Sequence, residues 1–238
     1  MMVDETNLEA EKSWFYQEQA GRVVTNLQKN NVNAQYVPTR KEALQTILAM
    51  IPEGTTVSRG DSISLDEVGV IPELGKRGVN KLIPLAFTRD AEGNYVYSAD
   101  ERYKLEREVF FSDIFLTGTN AVTLDGKLVN TDGYGNRAAP MFFGPKKVII
   151  VAGVNKIVRD VDEALARIHG YAAPINTRRH YLKHNHPEYA TLPCVVTGKC
   201  VDCRHQCRIC CYTVIIDFVR HKEKGRIDVV LVGEELGI

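Results

Sequence analysis

Outside residues 194–211 this 238-residue chain has no cysteine; all six of its cysteines fall inside that window. A disulfide framework spread over the fold is therefore excluded. Other absences narrow the function classes. Lys plus Arg and Asp plus Glu are both 30, so there is no excess charge to draw the chain to nucleic acid or an anionic membrane. The longest apolar runs, such as Val148-Ile149-Ile150-Val151-Ala152, are strand-sized, and membrane insertion is not expected. No Gly-x-Gly-x-x-Gly occurs, so neither bound NAD nor flavin is expected. The start, Met1-Met2-Val3-Asp4-Glu5, is acidic without an apolar stretch, which predicts no secretory signal and a cytoplasmic protein. Repeats and low-complexity segments are also missing. What is present is ordinary for a soluble globular protein: 44% hydrophobic and 25% charged residues.

The cysteines run Cys194, Cys200, Cys203, Cys207, Cys210, Cys211, and include two Cys-x2-Cys pairs. That spacing brings thiolates within reach of one metal centre. Three readings compete: an iron–sulfur cluster, a structural zinc site in which His205 can replace one sulfur, or metal-free thiols and disulfides. Disulfides between residues three apart are strained, and a cytosolic setting keeps thiols reduced, which favours metal. Cys203-x3-Cys207-x2-Cys210 also has the spacing of radical-SAM enzymes, but only 28 residues follow Cys210, too few for their downstream barrel.

Hydrophobic periodicity alternates between helix and strand. Residues 8–31 read as a helix, 34–37 as a strand, and Thr39 caps a second helix through Met50. Strands follow at 55–58, 79–84, 113–118, 148–152 and 226–233, with helices at 65–76, 100–111 and 160–168. Asp125-Gly126 is the strongest hairpin signal, flanked by 122–124 and 127–130. Strands separated by helices imply an α/β fold with a mostly parallel sheet and helices on both faces. In such sheets ligands bind beyond the carboxyl ends of the strands.

That rule selects polar loops. Ser58-Arg59-Gly60-Asp61-Ser62 joins a strand to a helix and can receive an anion, or serve only as an N-cap loop. Thr117-Gly118-Thr119-Asn120-Ala121 suits close approach of backbone to a ligand, or is a turn into the hairpin. In Val129–Arg137, Asp132 and Arg137 can pair across a turn; alternatively Asp132 and Asn136 face the same pocket as Asn120. Lys156 follows the 148–152 strand and can bind phosphate or carboxylate, although a lone lysine is more often solvated. His180 and His184 are four apart and can share a helix face; with His186 they read as surface residues or as outer neighbours of a site rather than ligands.

The run Leu116–Asn130, then Asp132-Gly133, Gly135-Asn136-Arg137, Phe143–Val148 and Gly153–Lys156, closely resembles the LUD (lactate utilisation) domain family, in its short stand-alone form. The resemblance extends to the tail Pro193-Cys194, Thr197–Cys203 and Arg208-Ile209-Cys210. It implies a fold similar to the ribose-5-phosphate isomerase and CoA-transferase superfamily. Multi-subunit members of that family are linked to oxidation of lactate to pyruvate with iron–sulfur proteins, whereas the short stand-alone members have no established reaction; redox partner subunits are expected by the same resemblance. The family pattern places cysteines at Cys194, Cys200, Cys203 and Cys210, the number a 4Fe–4S cluster takes, with Cys207 and Cys211 as alternates. Residues 1–175 are expected to form the LUD-like core, 176–214 a cysteine-rich metal-binding segment, and 215–238 strands returning to the core.

Two functions follow. In the first, the chain is an iron–sulfur redox or accessory subunit of lactate or 2-hydroxy-acid oxidation that binds a small anionic metabolite. Ser58, Gly60, Ser62, Gly118 and Thr119 receive the anion and Asn120 and Asn136 orient it. Lys156 supplies positive charge, and Asp61 or Asp132 is a general base. In the second, the chain is a non-redox isomerase or CoA-transferase-like enzyme with a zinc staple. Glu67 and Asp132 are the evident carboxylate nucleophiles, and neither sits in a nucleophile motif. A metabolite-binding regulatory protein is the third option.

Overall fold

Strand residues that are apolar at every position need cover on both sides, and this requirement organises the molecule. A computed structural model describes residues 6–184 and 187–238; Met1–Glu5 and His186 lie outside them. The strands are β1 (Asn33–Val37), β2 (Thr56–Arg59), β3 (Lys81–Leu82), β4 (Ile114–Gly118), β5 (Ala121–Thr123), β6 (Leu128–Asp132), β7 (Lys147–Gly153), β8 (Ile157–Val158), β9 (Tyr212–Ile216) and β10 (Ile227–Val232). Six form one parallel sheet in the order β1-β10-β7-β4-β2-β3. The last strand in sequence thus lies inside the sheet, between β1 and β7, and all six of its residues are buried.

Side-chain alternation splits the core in two. Val148, Ile150 and Ala152 of β7, with Val229 and Leu231 of β10, pack on one face beneath α1 (Glu9–Lys29), which contributes Ala20, Val23 and Leu27. Ile149 and Val151, with Val230 and Val232, face the opposite side. There they meet α2 (Arg40–Ala49), α3 (Ile63–Val68) and α4 (Val70–Arg77). Thr39 and Ser62 cap α2 and α3 by accepting from the Glu42 and Leu65 amides. The helix expected over 65–76 divides at Gly69, where φ is 80°. The strand expected over 79–84 shrinks to two residues at the sheet edge.

A second sheet, β8-β5-β6-β9, lies beyond the carboxyl end of β4. Its β5–β6 hairpin turns at Asp125-Gly126 as the sequence predicts. β9 runs antiparallel to β6 with Tyr212 opposite Asp132, which carries the cysteine segment to the end of β6. The remaining helices are α5 (Ala99–Glu108), α6 (Ala138–Phe142), α7 (Val161–Arg167), α8 (Ala173–His184) and α9 (Pro193–Thr197). A π-helical turn, Ile168–Ala172, joins α7 to α8. Helix α8 runs across residue 176 and β9 across residue 215. Among the described residues no helix is long and apolar enough to cross a membrane.

Candidate anion cleft and thiol site

The loops after β2, β4 and β6 and the 3-10 turn Val154–Lys156 converge with α8 around a cleft of about 910 Å³. Gly60, Asp61, Ser62, Gly118, Thr119, Asn120, Asp132, Asn136 and Lys156 all line it. Ser58 does not: it is buried behind the loop, with its hydroxyl 2.6 Å from that of Ser112. Seven Arg or Lys side chains line the cleft against four Asp or Glu, so its net field is positive.

Arg137 lines the cleft and packs closely against the loop after β2. A Cβ on Gly60 would stand 2.7 Å from Arg137 Cγ, so the loop leaves room for the guanidinium only as glycine. A Cβ on Gly118 would similarly stand 2.7 Å from Ser62 Oγ. Arg137 donates through Nη1 to Asn130 Oδ1 at 2.8 Å, and through Nη2 to Asn120 Oδ1 and the Thr131 carbonyl, both at 3.0 Å. Its partners are neutral oxygens. Burial pushes its proton affinity down, opposed by the charges of Asp132 and Asp61, yet a guanidinium stays charged at any ordinary pH. Asn120 and Asn130 are thereby committed to Arg137, and Thr119 is committed to the Ala121 carbonyl at 3.0 Å.

Lys156 is 4% exposed and donates to Ser64 Oγ at 2.8 Å. No carboxylate among the described residues touches it. Burial, with Arg167 and Arg137 nearby and Glu67 opposing, lowers its pKa from 10.5 to about 7. Asp132 accepts from the amides of Gly133 at 2.7 Å, Arg137 at 3.1 Å and Ala138 at 2.7 Å, which fixes the turn into α6. Asp61 is held from α8 by Arg179 at 2.9 and 3.1 Å and by Lys183 at 3.4 Å. Burial alone would raise the Asp61 carboxyl, but the Arg179 hydrogen bond and the charges of Lys183, Arg179 and His180 hold it well below the usual carboxylate range. Asn136 donates to Glu106 at 3.0 Å, and the Tyr134 hydroxyl donates to the same carboxylate.

Sequence reasoning missed Arg137 as a cleft residue, offering it only as a partner for Asp132. It also missed Arg179 and Lys183, because α8 was not predicted. The four-residue spacing of His180 and His184 was the available signal for that helix. Both line the cleft, with ring centroids 5.3 Å apart.

The cysteines divide between two places. Cys194, Cys200, Cys203 and Cys210 line one small cavity of about 20 Å³, together with Arg208 and Ile209. Cys207 and Cys211 line the main cleft instead. The Cys207 thiol donates to Glu188 at 3.0 Å, and the Cys211 amide donates to the Asp132 carbonyl at 2.9 Å. Cys210 lines both cavities. Burial raises its thiol pKa, neighbouring Cys200 and Cys203 add to this, and Arg208 opposes. Cys200 Sγ lies 3.5 Å from His169 Nδ1, a residue of the π-helical turn. All six are free thiols. Among the described residues no three His, Cys, Asp or Glu side chains are gathered closely enough to hold an ion. Four cysteine residues nonetheless line one cavity, the number of thiolates that a 4Fe–4S cluster takes. Beside them the buried Arg208 Nε has no acceptor among the described residues.

The family model described as LUD domain matches residues 20–232. The chain belongs to the LUD domain family. Among solved structures it is similar to a DUF162 family protein from Deinococcus radiodurans, with 14% identity over 91% of this chain and 98% of that one, and a TM-score of 0.49. A second is eIF2B delta from Chaetomium thermophilum, with 16% identity over 63% of this chain and 54% of that one, and a TM-score of 0.31. No curated protein matches the chain.

Proposed function

We propose that this LUD-domain protein binds an anionic metabolite on the Arg137–Lys156 floor and carries an iron–sulfur cluster in the adjacent thiols. It would thus be a redox or accessory component of 2-hydroxy-acid oxidation. The observation that carries the reading is the pair of cations at the strand ends, Lys156 buried and Arg137 partly buried, neither side chain bonded to a carboxylate among the described residues. An anion there gains charge-assisted hydrogen bonds in a dry site. Cys194, Cys200, Cys203 and Cys210 are the residues that would hold the cluster. When bound, a 4Fe–4S cluster supplies one-electron transfer, whereas zinc in the same thiols would be a staple. The proton-transfer group in this reading is Lys156, whose pKa of about 7 suits exchange at neutral pH. Asp61 and Asp132 are positioning groups, because both carboxylates are fully engaged.

Calorimetric titration of the anaerobically purified chain with lactate, pyruvate and inorganic phosphate tests the cleft. Binding that weakens at least tenfold in Lys156→Met supports the anion site. Absence of binding by all three anions, or equal binding in the variant, overturns it.

A further inference from the structure

The floor accounts for only part of the cleft. At about 910 Å³ it lies near the top of the range of roughly 300–1,000 Å³ that holds drug-sized ligands. A bare hydroxy acid of a few heavy atoms would leave most of it filled with water. The rest has a different chemistry. The rings of Phe87, Tyr95, His180, His184 and Tyr189 all line it. His180 and Tyr189 are nearly parallel, 18° apart in plane with centroids separated by 6.3 Å. His184 stacks on His180 and faces Tyr95 at 6.3 Å. Burial keeps both imidazoles neutral at physiological pH; His184 falls to about 4. Tyr95 is covered by the Arg89 and Arg102 guanidinium groups, 4.0 and 4.3 Å from its centroid, so the aromatic surface that suits the face of a planar ring is that of His180 and Tyr189.

Wall and floor are mechanically joined. Arg179, His180, Lys183 and His184 sit on α8, and the bidentate Arg179–Asp61 pair ties that helix to the loop after β2. That loop carries Gly60, which makes room for Arg137. The cleft therefore presents cations from the strand-end loops together with the rings carried by α8 and its neighbours.

We infer that the cleft takes a ring-bearing phosphate of mononucleotide size, its phosphate on Arg137 and Lys156 and its heterocycle against the His180–Tyr189 wall. The inference rests on the anion reading of the floor and names its ligand class. Such a ligand has no 2-hydroxy acid to oxidise, so it makes the chain the accessory member of a redox pair, responding to a nucleotide by binding it.

Calorimetry on the full chain with AMP, UMP, ribose 5-phosphate and inorganic phosphate tests this. Stacking on aromatic side chains predicts that AMP binds roughly 5- to 100-fold more tightly than ribose 5-phosphate. His180→Ala, and independently Tyr189→Ala, should erase most of that advantage while leaving the ribose 5-phosphate Kd within about twofold. Equal affinity of AMP and ribose 5-phosphate in the wild type overturns the ring subsite and leaves the anion floor standing. Failure of all four ligands to bind removes the floor itself, and the inference with it.

Discussion

Replacing Lys156 with Met should stabilise the protein at acidic pH and lose that advantage as pH rises. The ammonium is buried, has Ser64 as its hydrogen-bond acceptor, and lies near two arginines. A fall in pKa from 10.5 to about 7 corresponds, at 1.36 kcal/mol per pH unit, to a cost on the order of 5 kcal/mol for keeping the folded ammonium charged. The sign follows from proton counts. Below pH 7 the lysine is charged in both folded and unfolded chains, and the full cost is present. Between about 7 and 10.5 the unfolded chain binds more protons than the folded one, so wild-type stability rises with pH. Methionine fills a similar volume without titrating; it forfeits one hydrogen bond, worth about 1 kcal/mol. Urea unfolding followed by circular dichroism at pH 6, 8 and 10 should therefore show Lys156→Met more stable than wild type at pH 6. The difference should shrink by about 1.4 kcal/mol per pH unit across the window. Saturating phosphate should flatten that slope, because a bound anion restores the ammonium. A variant that is less stable at pH 6, or a difference independent of pH, would refute the buried-amine argument.

Other variants separate the parts of the site. Gly60→Ala forces Arg137 to move and should cost roughly 1–3 kcal/mol by overpacking, with weaker phosphate binding in the same calorimetric titration. Asp61→Asn keeps the shape but releases Arg179 and Lys183. Because the carboxylate is one-third exposed, solvent screening limits the expected loss to about 1 kcal/mol at neutral pH. The Asp61 carboxyl titrates below its unfolded value, so the stabilisation is present above pH 4 and disappears as pH falls through the folded pKa. Wild-type and Asp61→Asn stabilities should converge in acid. Cys200→Ser and Cys203→Ser should each lower bound metal at least tenfold, measured by elemental analysis, whereas Cys207→Ser should retain it. Loss in Cys207→Ser with retention in the other two would reverse the ligand assignment.

The sheet was legible because Val148–Ala152 of β7 and Val229–Val232 of β10 are apolar runs between helical periods, a pattern that parallel, doubly covered strands impose. Its strand order was not, since nothing local tells β10 to insert between β1 and β7; long-range packing decides that. The β5–β6 hairpin was legible through Asp125-Gly126. The glycine loops after β2 and β4 were found from the strand-end rule, and they do border the cleft. Ser58 was misplaced there because a strand-end serine can as easily point inward, and this one pairs with Ser112. Helix α8 was hidden because its residues are largely polar and its apolar face is thin: only Pro174 and Thr177 are fully buried. With it went the view of Arg179, Lys183 and the aromatic wall. The division of the cysteines between two cavities depends on β9 pairing with β6, which no spacing rule conveys.

Iron and acid-labile sulfide measured on the anaerobically purified full chain test the central claim most directly. The account predicts roughly four of each per chain, with broad visible absorption that bleaches on reduction and is lost in Cys200→Ser. A colourless protein holding zinc without sulfide, or one holding no metal, would contradict it.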